Sequence, residues 1–190
     1  MSADAQTGGS TQASPRFKAR ITGAVYLLYF ATAILAVFLT SHGHESYGLA
    51  VNLISAAFYV AVTVLFYFLF KPVNATLSLL AAIISLAGCA ITVLNLFHLA
   101  EQISPLVFFG PYCLLLGYLI LKSTFLPRIL GVLMVLAGLG WLAFLLLSPT
   151  SRFVPYIEGL GILAEGLLML WLLAFGVNSR RWSEQAEHVG

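Results

Sequence analysis

Residues 154–177 read VPYIEGLGILAEGLLMLWLLAFGV, and the reading of this stretch decides the fold. An apolar run of this length, wound as a helix, crosses the roughly 30 Å hydrocarbon layer of a bilayer. One carboxyl group, Glu165, falls in its middle. An ionised side chain at that depth costs on the order of 3 kcal/mol, so it needs a partner, a proton or a wet cavity. Glu165 is therefore the strongest functional lead in the chain.

The composition agrees with that reading. The chain has 190 residues, 61% hydrophobic and 8% charged. A soluble domain carries about 25% charged residues. A larger core cannot explain the deficit, because so small a domain still has much surface to solvate. The lipid bilayer must be the main solvent. Five further apolar runs precede the first one quoted, at residues 20–40, 48–70, 75–100, 105–121 and 128–147. Together they predict an all-α integral membrane bundle of six transmembrane helices. Residues 1–19 are rich in Ser, Gly, Thr and Gln and read as a disordered tail. Residues 20–178 form the membrane domain, and 179–190 a second tail. Lys71-Pro72-Val73-Asn74 reads as a turn, and Ser148-Pro149-Thr150-Ser151-Arg152 as a break. Gly110-Pro111 predicts a bend in the fourth helix.

Orientation follows from the basic residues. With six spans, Arg16, Lys18, Arg20, Lys71, Lys122, Arg128, Arg180 and Arg181 share one face, and Arg152 takes the other. Basic residues collect on the cytoplasmic side, so both termini are expected there. The first run is too long for the apolar part of a signal peptide, and no small-residue cleavage site follows it, so it is expected to stay.

Chemistry can be sought at the depth of Glu165. Tyr29, Tyr59, Tyr112 and Cys89 lie near the midpoints of their runs. A phenol can donate to a carboxylate or accept from a carboxylic acid. Asn52, Ser55, Tyr59 and Thr63 form one stripe on the second helix. Glu158 and Glu165 are seven apart and share a face of the sixth. Asn95 and His98 lie near each other on the outer half of the third. These positions predict a polar cavity opening away from the basic face, with Glu165 at its floor and Asn52, Asn95, His98 and Glu158 toward its mouth. The competing reading makes Glu165 a neutral, buried tie between helices. A metal site has a weaker signal. His98 and Glu101, three apart on a helix, could face one zinc or iron ion, with His42, His44 and Glu45 at the same surface. Cys89 and Cys113 read as packing residues. The pairs Gly131/Gly138 and Gly159/Gly166 read as close helix contacts. The basic residues are spread along a rim, which gives no support to nucleic-acid binding.

The stretch FFGPYCLLLGY at residues 108–118, continuing through FLPRILGVL at 125–133 and AGLG at 137–140, is specific. It resembles the signature of a bacterial six-span membrane family known as domain of unknown function 4386. The ending from Ala164-Glu165-Gly166 to Gly176-Val177-Asn178 is similar to that family's last helix, in which a glutamate recurs at the position of Glu165. The resemblance implies a multi-pass protein of the bacterial inner membrane. Family members often carry a histidine where this chain has Tyr112. Since the family has no assigned function, the resemblance brings no activity, cofactor or catalytic residue.

Three classes of function fit these observations. The leading one is handling of an ion or small molecule through the cavity at Glu165. The second is an accessory or scaffolding subunit with a structural Glu165, bound to a protein partner or a second copy. The third is a membrane-embedded enzyme acting on lipid-like substrates.

Overall fold

A computed structural model describes residues 14–146 and 152–187. Every regular element among them is helical: α1 (Pro15–Ser41), α2 (Glu45–Phe70), α3 (Ala75–Leu96), α4 (Leu106–Lys122), α5 (Arg128–Phe144), α6 (Val154–Ala174) and α7 (Ser179–Glu187). Four of these, α1, α2, α3 and α6, are long and apolar enough to cross a membrane. The apolar helices α4 and α5 have 17 residues each. At that length each rises about 26 Å, the lower end of what a span requires.

Each of the first six helices packs on its neighbours in the chain, and α6 closes back on α1. The result is a ring of six helices with a filled centre. Large side chains from around the ring meet there, among them Tyr26, Phe70, Leu116, Met134 and Leu168, all at most 1% exposed. The outer surface is apolar: Ile34, Val37, Ile83, Ile129, Ile162 and Leu163 are all more than half exposed. Lipid is the solvent that such a surface fits.

Glycine sets the closest helix contacts. Gly110 on α4 faces Gly138 on α5, and Gly117 faces Gly131, so the two backbones touch at both points. At Gly23 on α1 a β-carbon would lie 2.4 Å from the Leu173 nitrogen of α6. The pair Gly131/Gly138 thus packs as its spacing implies. Gly159 and Gly166 do not: a β-carbon on either would meet no atom within 4 Å. They lie on the open side of α6, because a spacing of seven marks a shared face without saying which way that face points. Hydroxyls tie α2 to α3, where Thr63 and Ser85 share a buried hydrogen bond of 2.8 Å and the Ser78 hydroxyl donates to the Tyr67 carbonyl at 3.0 Å.

Several helix limits differ from the expected ones. α1 begins inside the stretch read as a tail: Ser14 caps it by accepting from the Phe17 N–H, and Pro15 occupies its first turn. α3 stops at Leu96 rather than at residue 100, because His98 adopts a left-handed φ of 60°. α5 ends at Phe144, and the break read at 148–151 lies outside the described residues. α4 runs on through Pro111. After α6, Gly176 takes φ 68° and its N–H satisfies the Trp171 and Leu172 carbonyls, which turns the chain.

The second tail contains a docked helix. The indole N–H of Trp182 on α7 donates to the Leu69 carbonyl of α2 at 2.9 Å. Gln185 accepts from the Thr124 N–H at 3.1 Å, and the Arg181 guanidinium donates to the Thr124 carbonyl at 3.2 Å. Across the same end, Arg20 donates to the carbonyls of Leu173 and Ala174, and Arg16 to that of Phe175. Cations there complement the negative end of the α6 dipole. The basic residues of α1 and α7, with Lys122 at the end of α4 and Arg128 at the start of α5, are gathered at one end of the bundle.

Candidate functional site

Glu165 sits at the centre of α6, whose face toward the ring also carries Gly161, Ala164, Leu168 and Leu172, all buried. From α1, the Tyr26 hydroxyl donates to Glu165 Oε2 at 2.6 Å. Tyr26 is 1% exposed, whereas Glu165 is only half-buried. The bond is short, as expected where a phenol meets a carboxylate oxygen in a setting short of water.

Further phenols surround this pair. Tyr59 of α2 lies with its ring 6.3 Å from that of Tyr26 and 4.7 Å from that of Tyr29. Tyr112 of α4 stands 6.4 Å from Tyr59, ring edge toward ring face. Tyr26, Tyr29, Tyr59 and Tyr112 thus form one cluster of rings beside the Glu165 carboxyl. Phe30, Phe66 and Phe109 pack their rings against the same tyrosines. Among the described residues no Lys, Arg or His comes within ion-pair distance of Glu165. A negative charge there would have hydroxyl dipoles for company and no fixed counter-charge.

The expected residues divide into two groups. Tyr59, Tyr112 and Tyr29 lie in the same cluster as the Tyr26–Glu165 pair. Tyr26, which makes the direct bond, was not singled out from the sequence. Tyr26 and Tyr29 are three apart on one helix face, and only the rotation of α1 against α6 selects between them. The outer candidates are more scattered. Glu158 is exposed in the second turn of α6, and Asn52 is half-buried on α2. Asn95 donates through Nδ2 to the Ile103 carbonyl at 3.1 Å. Its Oδ1 is buried without a partner among the described residues.

His98 and Glu101 do meet, but not as residues of a helix. Both lie in the turn after α3, and His98 Nδ1 contacts Glu101 Oε1. Their side chains are 81% and 61% exposed. No third His, Cys, Asp or Glu joins them among the described residues. An exposed pair of this kind is weak by itself. His42 and His44 serve helix ends instead, His42 contacting the Phe38 carbonyl at the close of α1 and His44 opening α2. Cys89 and Cys113 are free and buried, in line with a packing role.

Comparison with known proteins adds a family. Residues 89–176 match the family model described as Domain of unknown function (DUF4386). That range contains Cys89, Tyr112, Cys113 and Glu165. A protein of Archaeoglobus fulgidus, described as uncharacterized, is 30% identical over 135 residues, covering 66% of this chain and 79% of its own length. No solved structure matches. The chain belongs to the domain of unknown function 4386 family.

Proposed function

We propose that this chain is a six-span membrane protein with both ends on the cytoplasmic face, and that it takes up a proton or a small cation at Glu165. The ring closes only if α4 and α5 run through the same layer as the four longer helices, which favours six spans. The gathering of basic side chains at one end favours the orientation. Residues 20–178 are then the membrane domain, with α7 lying along its cytoplasmic end.

The observation that carries the functional reading is the setting of Glu165. The carboxyl is bonded to one phenol, three more phenols belong to the same aromatic cluster, and no ion-pair partner reaches it among the described residues. A proton or a small cation would neutralise such a group. Tyrosine faces also attract a cation placed over them. Glu165 is half-buried rather than sealed, which supports access to it from outside the bundle. Asn52, Glu158 and the His98–Glu101 pair would line that approach.

A second reading has its own support. The Tyr26–Glu165 bond joins α1 to α6, the one seam of the ring that no chain connection closes. In that reading Glu165 is a tie, and the protein serves as a scaffolding or accessory subunit. Two substitutions separate the readings. Glu165→Gln keeps an acceptor for Tyr26 and cannot ionise, whereas Glu165→Leu removes both. Thermal unfolding of the detergent-solubilised chain is followed between about pH 5 and 8. If Glu165 exchanges protons, the wild type shows a pH dependence that Glu165→Gln lacks. If it is only a tie, wild type and Glu165→Gln share one profile, and Glu165→Leu is destabilised by about 1 kcal/mol.

A further inference from the structure

At the basic end of the bundle most cations are already engaged. Arg16 and Arg20 hold the last carbonyls of α6, and Arg181 holds that of Thr124. Arg180 pairs with Glu184 at 2.9 Å, and the Lys122 ammonium lies 5.7 Å from the centre of the Tyr118 ring. Lys18, Lys71 and Arg128 make no such contact among the described residues. Two of them, Lys18 and Lys71, line the same groove.

This groove has a volume of about 440 Å³ and runs between the start of α1 and the end of α2. Its size falls within the usual range of ligand pockets, roughly 300–1,000 Å³. Ile21, Leu65 and Phe68 form its walls, and Trp182 of α7 covers one side. Phe68 is 58% exposed, so the groove faces outward, where lipid tails would lie. Its other polar groups are spent: the Thr22 hydroxyl donates to the Lys18 carbonyl, and the Trp182 N–H to that of Leu69. What remains is an apolar slot whose lining includes two lysines with no ion pair among the described residues. A ligand that fits must be apolar along its length and negative at one end.

We propose that the groove binds one anionic phospholipid. An acyl chain lies against Ile21, Leu65 and Phe68, and the phosphate sits between Lys18 and Lys71. Charge complementarity selects the headgroup, since an anionic lipid gains on the order of fivefold per nearby lysine over a zwitterionic one. A water-soluble phosphate would leave the apolar walls unused. The proposal needs only the membrane setting and the basic end, and stands apart from the role of Glu165.

The test uses the full chain in vesicles, with spin-labelled phosphatidylglycerol and phosphatidylcholine compared by electron spin resonance. The wild type should immobilise the anionic lipid several-fold more. Lys18→Gln combined with Lys71→Gln should bring the two lipids level, while Arg128→Gln should change nothing. Ile21→Trp, which keeps both charges and fills the slot, should also abolish the preference. A preference that survives in the double lysine variant or in Ile21→Trp overturns the proposal, as does an equal loss in Arg128→Gln. Displacement of the lipid by soluble glycerol phosphate would likewise overturn it, marking a plain phosphate site.

Discussion

Alanine at the glycines of the α4–α5 seam should loosen the whole bundle, and the geometry sets the scale. A β-carbon on Gly117 would lie 2.8 Å from the Gly131 oxygen and 2.8 Å from the Val135 nitrogen. On Gly138 it would lie 2.9 Å from the Gly110 oxygen and from the Leu114 nitrogen. Ordinary contact needs about 3.5 Å, so each substitution is short by about 0.6–0.7 Å. Backbone atoms block the way, and no side chain can turn aside to make room. The two helices must therefore separate, and a gap of that size forfeits a quarter to a half of the dispersion contact along the seam. Gly117→Ala and Gly138→Ala should each cost about 1–3 kcal/mol. Gly159→Ala and Gly166→Ala are the controls, since nothing stands within 4 Å of either position. There alanine, the better helix former, should be neutral or stabilising by up to about 1 kcal/mol. Thermal unfolding in one detergent compares all four. If Gly117→Ala and Gly138→Ala melt with the controls, the close α4–α5 contact is wrong.

Two further outcomes follow from the basic end. Trp182→Phe keeps the ring but loses the N–H that holds the Leu69 carbonyl, so α7 should detach more often; faster tryptic cleavage at Arg180 and Arg181, read by mass spectrometry, would show it, and an unchanged rate would count against docking. Cysteines placed at Ser14 and Gln185 should both be shielded from an impermeant thiol reagent in intact cells, while one at Arg152 should react; labelling at either of the first two positions contradicts the six-span arrangement.

The helices were legible because each apolar run is bounded by charge, proline or a polar link. Where the boundaries moved, the causes differ. The start of α1 was visible in Ser14-Pro15, a cap residue followed by proline, although the polar residues before it suggested a tail. The end of α3 was not visible, because Leu96, Phe97 and Leu99 continue the apolar pattern, and the break comes from the backbone of His98. α7 was hidden for another reason: its residues are polar, and it is held by Trp182 against a carbonyl more than a hundred residues away. The site was half legible. Burial of a carboxyl in a long apolar run singles out Glu165 from sequence alone, and helix midpoints select Tyr59 and Tyr112. Helix rotation decides the rest. It brings Tyr26 to Glu165, puts Gly131 and Gly138 in a contact and leaves Gly159 and Gly166 in the open, and no sequence spacing contains it.

The most direct test of the account asks whether Glu165 changes protonation inside the ring. Infrared difference spectra of the protein in membranes, recorded as pH is stepped, show the carbonyl stretch of a protonated carboxyl. A band is expected that titrates in the wild type, is absent in Glu165→Gln and moves in Tyr26→Phe, which lacks the hydroxyl bonded to Glu165 Oε2. A band that titrates unchanged in Glu165→Gln, or wild-type spectra with no titrating carboxyl within the ring, would contradict it.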